Sequence, residues 1–155
     1  SNDHIGQSQK GEGDSTKGQY RRAHEWAFDG GAVVPARESP HIVPAPWSDL
    51  AGVDPEEAFV ASLSSCHMLF FLDFARRAGF AVASYVDEAE GVMGKRDDGR
   101  MAMTRVTLRP RVEWDGKAPD AGGLADFHHK AHDACFIANS VTCELVIDHQ
   151  PSPRT

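Results

Sequence analysis

The sequence predicts an α+β domain in which antiparallel sheets pack around one long central helix, and three observations carry that prediction. Residues 54–79 open on Asp-Pro-Glu-Glu, run through an almost uncharged apolar stretch and close on two arginines, an alanine and a glycine, the punctuation of a buried helix. Segments on both sides alternate apolar and polar residues with the period of two that a strand imposes, separated by Gly-containing turn signals. A last alternating segment, Val141 to Asp148, returns the chain to a sheet.

A length of 155 residues is one ordinary domain, able to bury roughly two thirds of the surface an unfolded chain exposes. Hydrophobic residues at 41% and charged residues at 25% belong to a soluble globular protein rather than a disordered one. The formal charge of −7 opposes a nucleic-acid partner, because such binders concentrate cation on one face. No apolar run approaches the ~20 residues that span a bilayer, and the N-terminus lacks a signal-peptide apolar core. A soluble, cytoplasmic domain with no membrane partner is expected.

Residues 1–19 hold mostly Gly, Ser, Gln, Lys, Asp and Glu with Ile5 as their one branched aliphatic residue, too little apolar area to offset ordering entropy. A flexible tail is expected there, with folding from Tyr20 to residue 150 and a short tail over 151–155. From Tyr20 to Phe28, Tyr20, His24, Trp26 and Phe28 share one side of a period-two pattern, and Asp29-Gly30-Gly31 turns the chain into Val33-Val34. Pro35, Pro40, Pro44 and Pro46 then mark an ordered connection or an edge strand.

Asp54 can cap a helix that Pro55 opens, and Glu57 sits where a capping-box carboxylate reaches back. The helix should run to about Ala78 with Arg76 and Arg77 in its last turn. Its middle, Phe59 to Phe74, is apolar on more than one face, so another subunit is expected to cover part of it. Ala81 to Met93 and Met101 to Trp114 read as a hairpin about Asp98-Gly99, with Arg105, Arg109 and Arg111 on a solvated face. Leu124 to about Ala134 reads as a second helix, and Val141, Cys143, Leu145 and Ile147 share one face of the last strand.

The three cysteines suit neither a disulfide-stapled scaffold nor a zinc clip, since the count is odd and no Cys-x-x-Cys occurs. Cys143 follows the core pattern of its strand. Cys66 lies mid-helix in Ser64-Ser65-Cys66-His67, where burial raises a thiol pKa, and His67 points about 100° away from it. Cys135 follows His128 and His132, which share a helical face at metal-ligand spacing, yet His129 stands where a zincin motif needs Glu. A solvated, His-rich helix end is expected there, with a metal site at His128, His132 and Cys135 as the alternative.

Two motifs resemble the OsmC/Ohr family, the osmotically inducible and organic hydroperoxide resistance proteins. Val53-Asp54-Pro55-Glu56-Glu57-Ala58-Phe59 leading to Ser64-Ser65-Cys66 is similar to the family's segment before its reactive cysteine. His132-Asp133-Ala134-Cys135-Phe136-Ile137-Ala138-Asn139-Ser140 is similar to its second-cysteine segment, usually His-x-x-Cys-Pro-x-Ser-Asn, with Phe136 in place of Pro. The resemblance covers Tyr20 to about Asp148. It implies an intertwined homodimer, no cofactor, an organic hydroperoxide substrate and a thiol reductant of dithiol or lipoyl type. It also implies that Cys66 attacks the O–O bond and Cys135 resolves the sulfenic acid as a disulfide.

The family further uses an Arg, oriented by a helix-start Glu, to hold the thiolate. Glu56 matches that Glu, while Arg37, Arg21 and Arg22 are the nearest candidates for the cation; Arg37, in the Pro-rich connection that could fold over the site, is expected to supply it. Ten helical residues separate Glu56 from Cys66 by ~15 Å, so a site using both draws them from two copies of the helix. Without an Arg in reach, His67 or His41 would supply the cation or hydrogen bond. The alternative function is a divergent protein that binds a small hydrophobic ligand at the dimer interface with Cys66 as lining.

Overall fold

A computed structural model describes residues 3–9, 13–39, 41–44, 46–47 and 51–149; the expected tail over 151–155 and the expected break at Pro40 lie outside them. The chain divides into two compact units, Ser1–Ala58 and Phe59–Thr155. Strands β1 (Ile5–Gln9), β2 (Gly13–Asp14), β3 (Gln19–Tyr20), β4 (His24–Phe28) and β5 (Val33–Ala36) precede helix α1 (Pro55–Arg77). Strands β6 (Ala81–Asp87), β7 (Glu90–Lys95), β8 (Met101–Leu108) and β9 (Pro110–Asp115), helix α2 (Ala121–Ala134) and strand β10 (Glu144–Ile147) follow.

In the first unit β1, β4 and β5 form an antiparallel sheet in that order. The hairpin of β4 and β5 turns where Asp29-Gly30-Gly31 predicts it, with Gly31 at φ +88°, a conformation that favours glycine. Strand β1 corrects the expectation of an unstructured tail, since Ile5 to Gln9 pair along their whole length with β4. All five residues are exposed. The strand is held by a backbone ladder rather than by burial, so no apolar alternation announces it. Pro35 lies in the edge strand β5, where its missing N–H costs no ladder bond.

The start of α1 closes a reciprocal cap. Glu57 N–H donates to Asp54 Oδ1 at 2.8 Å and Asp54 N–H donates to Glu57 Oε2 at 3.4 Å, the capping box that Asp-Pro-Glu-Glu predicts. At the other end Gly79 takes φ +84° and Phe80 N–H donates to Ala75 C=O at 3.0 Å, which ends the helix in a glycine cap. Leu63, His67, Phe71 and Ala75 form its buried stripe, each four residues from the last. Leu69 on another face is 59% exposed. The sequence expectation about apolar runs is corrected here: α1 has mean hydropathy 1.5 over an 18-residue window and is long and apolar enough to cross a membrane. Core helices pass the same test, so this property alone assigns α1 no location.

In the second unit the expected hairpin is present but bent. β6 pairs with β9 and β7 with β8, both antiparallel, so two long strands are each broken near residues 88–89 and 109. Pro110 supplies no N–H to continue the ladder, and Arg109 N–H donates instead to Asp87 Oδ1 at 2.6 Å. β10 adds parallel to β8. Two cores result. Phe71, Ala75, Phe127 and Ala131 bury one, with Tyr85 and Trp114 against them; Leu63, Val106 and Leu108 bury the other, with Val141, Cys143, Leu145 and Ile147 against it. Cys143 is core filling, as its alternation predicts. Arg105 pairs with Glu144 at 2.9 Å and Arg109 with Glu90 at 3.1 Å, as a solvated face does, whereas Arg111 departs from that expectation, half-buried with Nη1 donating to Pro110 C=O and Asp148 C=O.

Candidate thiol site

Helix α1 presents Cys66 half-buried at its middle, and α2 delivers Cys135 at its C-terminal cap, fully buried. Asp120 starts α2 by accepting Gly123 N–H at 2.7 Å. Cys135 N–H donates to Ala131 C=O at 2.9 Å to end it. The turn after Cys135 is fixed by its own polar residues, because Ser140 Oγ donates to Phe136 C=O at 2.7 Å and Asn139 Nδ2 donates to Asp133 C=O at 3.1 Å. Ala138 N–H reaches the Cys135 sulfur at 3.4 Å.

Cys66 and Cys135 are neighbours in space, close enough that the Cys66 thiol acts on the Cys135 thiol, and both are free. Burial pushes the Cys135 thiol up to about 11, the Cys66 thiol adds to that rise, and the Ala138 N–H opposes it. Cys135 is therefore a protonated thiol at neutral pH, able to donate to Cys66. Beside the pair the rings of Phe70 and Phe136 meet edge to face with centroids 5.1 Å apart.

Arg37 and Glu56 belong to the first unit. The Arg37 side chain is 9% exposed; one nitrogen, Nη2, meets Glu57 Oε1 at 2.8 Å and Asp54 Oδ2 at 3.9 Å, and Nε donates to Gly52 C=O. Its Nη1 is buried without a hydrogen-bond partner among the described residues. The carboxylate that orients Arg37 in this chain is thus Glu57, where the resemblance implied Glu56. Neighbouring helical residues point about 100° apart, and the capping box already turns Glu57 back over the helix start. Glu56 is half-buried with Oε2 unpartnered among the described residues. Burial raises its carboxyl pKa, and the charges of Asp54 and Glu38 add to that.

A cluster of histidines escaped the sequence reading. His67 and His128 are buried, and His67 Nε2 lies 3.0 Å from His128 Nδ1 with the ring planes 6° apart. His149 stacks on His128 with centroids 4.8 Å apart. The solvated His-rich helix end holds for the exposed His129 but fails for His128, which lies beside Phe127 on the inner face of α2. The available signal was position: His67 falls four residues from both Leu63 and Phe71. Among the described residues no group of three or more His, Cys, Asp or Glu side chains is arranged to hold a metal.

Burial lowers His67 to about 4, with the charges of His132 and His149 adding and Asp87 opposing; burial lowers His128 to about 3, with His67 and His149 adding. An unfolded histidine titrates near 6.5, at about that value. Between these values the unfolded chain binds more protons than the folded one, so stability is full above about pH 6.5 and falls as pH drops toward 4. Denaturant midpoints measured from pH 7.5 to 4.5 should decline from about 6.5 downward, before the carboxylates titrate. A flat profile between pH 7 and 5 would rule this out.

The chain is thus a two-helix, bent-hairpin α+β fold that carries a half-buried thiol on α1 near a buried one at the end of α2. The chain belongs to the OsmC-like family: the family model described as OsmC-like protein matches residues 48–150. No curated protein matches it. A solved OsmC-like protein of unknown function from Vibrio cholerae is 48% identical, with 95% of this chain and 97% of that one covered and a TM-score of 0.92. The organic hydroperoxide resistance protein OhrB of Bacillus subtilis is 17% identical over 95% and 96% of the two chains, with a TM-score of 0.67. An organic hydroperoxide resistance protein OsmC from Legionella pneumophila is 13% identical over 96% and 98%, with a TM-score of 0.66. The last two show a shared fold.

Proposed function

We propose that this protein is a thiol-dependent peroxidase that reduces organic hydroperoxides through Cys66 and Cys135. The observation that carries the reading is the proximity of the two thiols, Cys66 half-buried and Cys135 fully buried and pushed up by its burial and by Cys66. The Cys66 thiolate attacks the outer oxygen of ROOH, the O–O bond breaks, and RO⁻ leaves to take up a proton as ROH. Cys66 is then a sulfenic acid. The Cys135 sulfur attacks the Cys66 sulfur, its proton leaves with the hydroxyl as water, and a disulfide forms. Two thiols of an external reductant, a dithiol or lipoyl type, restore both cysteines by exchange.

Arg37 is the cation assigned to the Cys66 thiolate, with Nη1 as its uncommitted donor and Glu57 and Asp54 as its anchors. Glu56 is assigned as the second carboxylate of that site. Because Glu56 and Glu57 lie about 14–15 Å along the helix from Cys66, the site is assigned to a homodimer, in which one subunit supplies Arg37 and Glu56 and its partner supplies Cys66. Leu69, an apolar side chain exposed on α1, favours the same assembly. Three free cysteines fit a reducing cytoplasm, the compartment proposed here.

The test is stoichiometric. Reduced protein given an equal amount of cumene hydroperoxide should consume it and yield one Cys66–Cys135 disulfide by peptide mapping, with Cys143 still alkylatable. Consumption without that disulfide, or no consumption, would sink the proposal.

A further inference from the structure

An apolar shelf lies beside the thiol pair, and its outermost member is Phe136. Phe136 is 72% exposed and Leu69 59% exposed. The half-buried Phe70 meets Phe136 edge to face, with centroids 5.1 Å apart and ring planes at 89°. Phe70 follows Cys66 by four residues, which puts both on one face of α1, and Phe136 follows Cys135 directly. The two rings therefore belong to the same place as the two sulfurs.

The turn, not burial, puts Phe136 there. Cys135 has extended backbone, φ −63° and ψ 113°, so its side chain and that of Phe136 point to opposite sides. Cys135 faces inward with no exposed surface, and Phe136 faces outward. Ser140 Oγ, donating to Phe136 C=O at 2.7 Å, and Asn139 N–H, donating to Cys135 C=O at 3.0 Å, hold that turn. A ring left this exposed recovers little hydrophobic free energy from folding. Its open face is available to a bound molecule.

Charge narrows the class of molecule. The cations of α1, Arg76 and Arg77, are both taken by Asp73, at 2.7 Å each, so the helix offers no free cation to a substrate carboxylate. Against an aromatic ring, a second aromatic ring is favoured by about two- to tenfold beyond what its area gives. We propose that Phe70 and Phe136 receive the organic group of the hydroperoxide, and that Phe136 makes the protein select neutral aryl hydroperoxides over saturated ones of equal size. This rests on the peroxidase reading above and adds to it a residue that sets specificity without taking part in bond breaking.

The probes are cumene hydroperoxide, its saturated counterpart 2-cyclohexylpropan-2-yl hydroperoxide, and tert-butyl hydroperoxide, all with a tertiary peroxide carbon. For each, kcat/KM reports the step at Cys66 when the two half-reactions alternate. In full-length protein with dithiothreitol, cumene hydroperoxide should exceed its cyclohexyl counterpart by about two- to tenfold. Phe136→Leu should erase that preference with tert-butyl hydroperoxide turned over much as before, and Phe136→Tyr should keep it. Equal kcat/KM for the aryl and cyclohexyl substrates, or a preference unchanged in Phe136→Leu, would overturn this assignment and leave the peroxidase reading standing. An equal loss for all three substrates in Phe136→Leu, with dissociation of subunits in the ultracentrifuge, would make Phe136 a subunit contact and overturn it too. Failure to consume any of the three is the separate outcome that removes the peroxidase reading and this inference together.

Discussion

Cys66→Ser is expected to stop hydroperoxide turnover, lowering the rate by about three orders of magnitude or more, the scale on which loss of a nucleophile is felt. A serine hydroxyl carries no thiolate to attack the O–O bond and has no reversible oxidised state to pass on. Cys135→Ser should separate the two halves of the reaction. Its Cys66 still consumes one equivalent of peroxide, but the sulfenic acid has no buried partner and accumulates, where dimedone traps it. Steady-state turnover with a dithiol should then fall while the first turnover stays fast. Cys143→Ser, a change within the second core, should leave both phases unchanged. Retained turnover in Cys66→Ser, or an unchanged steady state in Cys135→Ser without a trapped intermediate, would remove these cysteines from the mechanism.

What was legible in the sequence was whatever local chemistry dictates. Asp54 and Glu57 cap each other because their spacing lets each reach the other's N–H, and Gly79 ends the helix because it takes a positive φ. The alternation that placed Cys143 among Val141, Leu145 and Ile147 reads directly as one core face. The approach of Cys135 to Cys66 was not of this kind. It depends on where α2 comes to rest against α1, and only the family resemblance brought the two cysteines together on paper.

The misses have physical reasons. β1 is held by backbone hydrogen bonds with all its side chains exposed, so its sequence carries no pattern. Arg37 took Glu57 rather than Glu56 because a capped helix start fixes which of two adjacent carboxylates turns back. The partner of His67 is His128, 61 residues further along the chain, and no local pattern joins the two. Polar residues inside an apolar stripe find their partners through tertiary packing, and a stripe position should itself have raised that question.

Phe71→Ala is the substitution expected to cost most stability, about 3–5 kcal/mol in a domain whose total is about 5–15 kcal/mol. Phe71 is fully buried, and its ring meets His128 at 4.4 Å, Tyr85 at 5.5 Å, Trp114 at 6.0 Å and Phe127 at 6.0 Å. One side chain thus joins α1, α2 and the β6–β9 pair, and the void it leaves cannot be closed by moving a single element. Phe71→Leu, which keeps most of the volume, should lose less. Urea midpoints should fall in that order with little change in slope, since the surface exposed on unfolding is nearly the same. The same variant separates structure from chemistry. Phe71 touches neither thiol in the proposed reaction, so the rate per folded molecule should survive while the folded fraction drops. A stability loss under about 1 kcal/mol would mean that the core tolerates the void, and that α1 and α2 are held together by something other than this ring.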